Sequence, residues 1–204
     1  MIYKLYISKD EYENIVNALS KPERIAFVFG EVVDNRKWIA LKCLVPPDKA
    51  LDRSLCHVHV DRKWLAPRLA KYISSGMDLI AVIHSHYGLA TPSQGDLVTH
   101  KKVSKCYPNC LLGILDSISG NIKLIDIAEN RKFELKVVDL SRFDRQIRFF
   151  GKRGQLRLSS SSVALIGVGG AMPLALSLAS TGIGRLLLVD PDVWEVHNRN
   201  RVFI

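Results

Sequence analysis

Residues 79–96 read LIAVIHSHYGLATPSQGD. The run Leu79–Ile83 is wholly apolar, of strand length, and too short for a buried helix. It ends in His84-Ser85-His86, so a buried strand delivers polar groups at its C-terminal end. Gly88 and Pro92 mark a loop, and a helix is expected to begin at Ser93 and run toward Lys105. Strand, loop and helix in that order give an α/β unit. Alternate residues of a strand share a face, so His84 and His86 leave on one side with Cα atoms about 6.5 Å apart, a span one metal ion can bridge. Asp96 follows in the first turn of the helix. An N-cap serine with a carboxylate three positions later is also what a well-capped helix requires. The same residues therefore read both as a ligand set and as a capped helix start.

The flanking sequence extends the α/β pattern. Ser8 and Glu11 form a capping-box pattern for a first helix carrying Tyr12, Ile15, Val16 and Leu19. Ile25–Val33 and Trp38–Val45 read as strands joined by Asp34-Asn35-Arg36, a hairpin. Another strand contains Cys56-His57-Val58-His59-Val60; its two histidines read as the polar face of a half-buried strand. Pro67 is placed to open a helix closed by Ser75-Gly76. Leu111–Leu115, Ile122–Ile127 and Phe133–Val138 are further strands. Residues 1–139 thus read as one mixed α/β domain. Residues 140–158 read as a basic linker, and 159–204 as a βαβ start: strand Val163–Ile166, turn Gly167-Val168-Gly169-Gly170, helix Pro173–Ser180 and strand Leu186–Val189 ending at Asp190.

Composition narrows the classes. The 204 residues are 48% hydrophobic and 24% charged, which excludes a disordered tail, a fibre or a disulfide mini-scaffold. No apolar run reaches membrane-span length and the N-terminus has no signal-peptide core, so a cytoplasmic protein without a membrane partner is expected. Lys and Arg outnumber Asp and Glu by 29 to 20, a net charge of +9. The excess is spread along the chain, and its densest stretch, Arg142 to Arg157, suits phosphates or an acidic partner better than nucleic acid. The four cysteines, Cys43, Cys56, Cys106 and Cys110, are expected as free thiols, and His100 as a solvated helix residue.

Glu23 followed seven residues later by Gly30, then His84-x-His86, then Ser93-x-x-Asp96, resembles the signature of the JAMM (JAB/MPN) metalloproteases. These cleave peptide or isopeptide bonds after ubiquitin or ubiquitin-like tails. The resemblance covers residues 1–139 and implies a mixed-sheet MPN domain with flanking helices. It implies zinc held by His84, His86 and Asp96, Glu23 as general base, and Ser93 as oxyanion stabiliser. Two features depart from the family: Tyr87 stands where Pro is usual, and six residues rather than seven precede Ser93.

The C-terminal stretch carries a second resemblance. Arg145-Gln146-Ile147-Arg148, Gly167 to Gly170, Pro173, Gly182-Ile183-Gly184, Leu188-Val189-Asp190-Pro191-Asp192 and Asn198-Arg199-Asn200-Arg201 look like the start of E1-like ThiF/MoeB adenylyltransferases. These use ATP to activate the C-terminal glycine of a ubiquitin-like or sulfur-carrier protein. The likeness implies an incomplete Rossmann-like unit that binds ATP with Mg: Gly167, Gly169, Gly170, Arg145, Asn198 and Arg201 at the phosphates, Asp190 at the ribose, and a possible dimer through this segment. Met172 falls where a third glycine is usual and is expected to crowd the phosphates. The sequence ends at Ile204, ahead of the later lysine, aspartate and cysteine of such enzymes, so no pyrophosphate exchange is expected of it. Together the halves imply a zinc-dependent isopeptidase fused to an activating domain, both handling one flexible ubiquitin-like tail. The alternatives are an adenylyltransferase whose MPN domain only binds substrate, and a non-catalytic MPN scaffold.

Overall fold

The structure, a computed structural model, describes residues 2–54, 57–193, 195 and 196. Cys56, Asn198 and Arg201 lie outside the described residues. The chain divides into two units, Met1–Val138 and Asp139–Ile204.

In the first unit, strand β1 (Tyr3–Ser8) leads into helix α1 (Lys9–Ala18), followed by β2 (Ile25–Asp34) and β3 (Lys37–Leu44). A small antiparallel hairpin, β4 (Leu51–Ser54) and β5 (His57–Val60), precedes α2 (Arg62–Ser74). Then come β6 (Asp78–His86), α3 (Gln94–Cys106), β7 (Leu111–Asp116), β8 (Ile122–Asp126) and β9 (Arg131–Val138). Seven strands form a closed mixed sheet in the order β1-β3-β2-β6-β7-β8-β9, shut by parallel pairing of β1 with β9. The strand bearing the histidines is central: β6 runs antiparallel to β2, with Ile25 opposite His84, and parallel to β7, with His86 opposite Asp116.

Leu5, Ile7, Ile15, Leu19, Ile80 and Leu111 pack a single interior cluster, all at most 2% exposed. Each such side chain contributes about 1.5–3 kcal/mol by leaving water, and the packed wall they build holds β6 rigid beneath the site. Gly30 serves the same wall. A Cβ there would fall on the Ile39 carbonyl oxygen and 2.8 Å from Ile80 Cδ1, so only glycine lets β2 and β3 approach.

Four expectations are corrected. The first element is β1 rather than a helix, and only half of the Ser8/Glu11 box forms: Ser8 Oγ accepts from the Glu11 N–H, while the Glu11 carboxylate turns to the Cys43 N–H and Lys42 on β3. Helix α2 opens not at Pro67 but at Asp61, whose carboxylate accepts from the Lys63 N–H, and Pro67 is carried inside it. Residues 140–158, expected as a basic linker without an element of their own, are largely helical. A 3₁₀ turn at Ser141–Phe143 leads into helix α4 (Asp144–Ser160), which breaks at Gly151, where φ is 73°. Finally, His100 is 2% exposed and its Nε2 lies 2.8 Å from the Cys110 carbonyl oxygen, so it belongs to the interior.

The second unit continues with β10 (Ser162–Ile166), α5 (Met172–Thr181) and β11 (Arg185–Val189). The two strands pair in parallel across the α5 crossover, with Leu165 opposite Leu188. Gly182, at φ 85°, caps α5 in the left-handed region that glycine adopts without strain. No described helix is long and apolar enough to cross a membrane.

Candidate metal centre

Period-two alternation along β6 sends Ile83 and Ser85 to one side and His84 and His86 to the other. Ile83 and Ser85 are buried, while the histidine side chains are 12% and 18% exposed. Helix α3 starts directly beyond the loop because Ser93 is a full capping box: its Oγ accepts from the Asp96 N–H at 3.2 Å, and Asp96 Oδ2 accepts from the Ser93 N–H at 2.7 Å. The helix cap and the ligand set are thus one arrangement. The turn that satisfies the backbone also turns Asp96 toward the histidines.

His84 Nδ1 lies 2.9 Å from Asp96 Oδ1, and His86 Nε2 lies 3.2 Å from Asp96 Oδ2. His86 Nδ1 is 3.0 Å from the Thr91 carbonyl oxygen. A carbonyl only accepts, so Nδ1 is the donor there, and Nε2 is the ring nitrogen turned toward Asp96 and available to a metal ion. Glu23 joins from the segment between α1 and β2, with Oε2 3.2 Å from His84 Nε2. Its backbone has φ 56°, a left-handed conformation unusual for a residue with a Cβ. The loop after β6 is tethered at its start by Asp116, whose Oδ1 accepts from the Gly88 N–H.

Burial opposes the charge on Asp96, but hydrogen bonds from the His84 ring and from Ser93 outweigh it and hold the carboxyl far below the usual carboxylate range. The site therefore presents an anionic oxygen donor beside two imidazoles. One ligand atom from each of His84, His86 and Asp96 lies within 4.8 Å of the others, and no other group of three such residues does so among the described residues. Tetrahedral zinc with bonds of about 2.0–2.2 Å needs donors about 3.3–3.6 Å apart, and the Asp96 oxygens lie 2.9 Å from His84 Nδ1 and 3.2 Å from His86 Nε2. The residues fit a divalent ion. A cavity of about 110 Å³, walled by Ile25, Val58, Val82 and Val103, opens beside His84 and Asp96.

The structure brings Glu23, His84, His86, Ser93 and Asp96 together. Ser93 Oγ donates to Asp96 Oδ2 at 2.7 Å, so its proton is directed at the ligand rather than at an incoming oxygen. Thr91, Ser85 and Asp116 are the supporting groups that the spacing of the histidines did not single out. His59 is exposed on β5, and Cys106 and Cys110 are free.

In the second unit Gly167 adopts φ 83° and opens the turn between β10 and α5. Asp190, at the end of β11, folds back on it: its Oδ2 accepts from the Val168 N–H at 2.5 Å and the Gly169 N–H at 3.3 Å. The Gly169 amide, expected at the ATP phosphates, thus donates to Asp190, the side chain expected at the ribose. Arg145 is exposed in the first turn of α4.

In the second unit a strand–glycine turn–helix–strand arrangement follows a basic helix. Residues 143–204 match the ThiF family. The chain is also similar to proteins named adenylyltransferase and sulfurtransferase MOCS3: 47% identical over 73 residues in Sus scrofa, 34% of this chain and 16% of that protein. In Xenopus laevis the identity is 48% over 66 residues, 31% of this chain and 15% of that protein. The Zea mays MOCS3-1 matches at 50% over 56 residues, 27% of this chain and 12% of that protein. The chain therefore spans about one eighth to one sixth of the length of these curated relatives. A solved structure, the solution structure of protein DSY2949 from Desulfitobacterium hafniense, is similar with a TM-score of 0.47 and 16% identity, covering 66% of this chain and 93% of that one.

Proposed function

We propose that the first unit is a JAMM-type metallohydrolase that cleaves the peptide or isopeptide bond after the tail of a ubiquitin-like or sulfur-carrier protein, and that the ThiF-type unit serves the same partner. The observation that carries this reading is the meeting of Glu23 with His84, His86 and Asp96. These four groups come from three separate places in the chain, which helix capping alone does not explain. A zinc ion held by His84, His86 and Asp96 supplies a Lewis acid and a water acidic enough to act near neutral pH.

The chain's own residues do the rest. Glu23 Oε2 takes a proton at the site and returns it to the departing amine. The Thr91 carbonyl keeps His86 in the tautomer whose Nε2 can ligate, and Ser93 holds the Asp96 carboxylate in place. The proteins that the second unit resembles are named adenylyltransferases, which supports a partner whose C-terminal tail is activated by one half and trimmed by the other.

The test is incubation with ubiquitin carrying a C-terminal peptide extension, comparing wild type with Glu23→Ala at equal zinc content. Cleavage at the tail by wild type, reduced about 10²- to 10⁴-fold in the variant, is expected of a general base. Equal cleavage by both contradicts the assignment.

A further inference from the structure

We infer that Ser85, between the two histidines, is a positioning residue that clamps Glu23 into its working conformation. This inference rests on the reading of Glu23 as proton carrier. Ser85 is fully buried and lies on the opposite face of β6 from His84 and His86, so its hydroxyl is turned away from the metal donors. It is spent instead on the segment that carries Glu23. Ser85 Oγ donates to the Lys21 carbonyl oxygen at 2.7 Å and accepts from the Arg24 N–H at 3.0 Å. Its backbone completes the clamp: the Glu23 N–H donates to the Ser85 carbonyl at 3.0 Å, and the Ser85 N–H to the Arg24 carbonyl at 2.9 Å.

Four hydrogen bonds thus tie positions 21, 23 and 24 to one residue. The conformation they enclose is one a side-chain-bearing residue does not choose by itself, with Glu23 at φ 56°. The left-handed turn is what brings the carboxylate back to His84 Nε2. The two hydroxyl bonds fix the backbone on either side of Glu23. When they are lost, the segment can relax to negative φ and carry the carboxylate away from His84. The metal donors keep their own supports, Thr91 for His86 and Ser93 for Asp96, so the clamp acts on the proton carrier and leaves the ligand set intact.

The experiment compares Ser85→Ala, Ser85→Thr, Glu23→Ala and the double variant Glu23→Ala/Ser85→Ala, with extended ubiquitin as substrate. Zinc content, kcat and KM are measured, together with amide exchange at Arg24 in the zinc-free chain. The expected result is Ser85→Ala with wild-type zinc content and KM, kcat lowered about tenfold or more, and the Arg24 amide exchanging at least tenfold faster. Ser85→Thr, which keeps the hydroxyl, restores kcat. The double variant is no slower than Glu23→Ala alone, because a residue that acts through Glu23 has nothing left to act on. Ser85→Cys, similar in volume but weak in hydrogen bonding, must show the same pattern if Ser85→Ala does not fold. Wild-type kcat in Ser85→Ala overturns the clamp while leaving the hydrolase reading standing. So does a loss of zinc in parallel with activity, or a loss that adds to that of Glu23→Ala. Full activity in Glu23→Ala overturns the base assignment and the clamp with it.

Discussion

Replacing Ser93 by alanine separates two roles that share one hydroxyl. In the structure that hydroxyl is the N-cap of α3 and, at 2.7 Å, a donor to Asp96 Oδ2. Alanine removes both bonds, leaving the Asp96 N–H without its capping acceptor and the ligand carboxylate without one of its two Ser93 donors. Loss of an N-cap costs about 1 kcal/mol of stability, within a range of roughly 0.5–2 kcal/mol. Loss of a group that orients a metal ligand costs about 10- to 100-fold in metal affinity, equivalent to about 1.4–2.7 kcal/mol. Urea unfolding of the zinc-free chain reads the first quantity, competition with a chelator reads the second, and kcat at saturating zinc reads catalysis alone. The expected outcome is a modest loss of stability, a tenfold or larger loss of zinc affinity, and a kcat close to wild type once zinc is saturating. A wild-type zinc affinity with kcat lowered about 10²- to 10³-fold, the signature of a missing oxyanion donor, would refute this reasoning and return Ser93 to the role that the family resemblance implies.

Two further outcomes follow from the fold. Burial lowers the pKa of His100 from its ordinary value, against the opposing pull of the Cys110 carbonyl and Asp126. The unfolded chain takes up a proton below about pH 6.5 while the folded chain resists it. Stability from this group is thus full above pH 6.5 and falls with acidification by at most about 1.4 kcal/mol per pH unit. Urea midpoints between pH 8 and pH 5 should fall less steeply in His100→Gln than in wild type, and identical slopes would remove His100 as the cause. Gly30→Ala drives a Cβ onto the Ile39 carbonyl oxygen and should cost at least about 2 kcal/mol in the same unfolding assay, whereas a neutral result would show that β2 and β3 separate easily.

The heart of the site was legible because two local signals coincide in one stretch. An apolar strand carries HxH to its end, and SxxD is simultaneously a capping box and a ligand source. The placement of Glu23 was not legible from local pattern, because its left-handed turn is imposed by Ser85, 62 positions away in the chain. Strand β1 went unread for a related reason. Its alternation of buried Leu5 and Ile7 with half-buried Lys4 and Tyr6 is short, and its strand identity comes from parallel pairing with β3 and, at the far end of the domain, β9. The basic composition of residues 140–158 obscured helix α4, whose break at Gly151 divides the periodic pattern into two short pieces. His100, flanked by Lys101 and Lys102, looked solvated. Its spacing of three from Leu97 and from Val103 was the available sign that it lies on the buried stripe of α3.

Elemental analysis of the purified chain decides whether His84, His86 and Asp96 hold zinc, as proposed. One zinc per chain in wild type, lost in His86→Ala and Asp96→Ala while both variants stay folded, is the predicted result. A wild-type chain that carries no zinc and takes none up when zinc is added would contradict it.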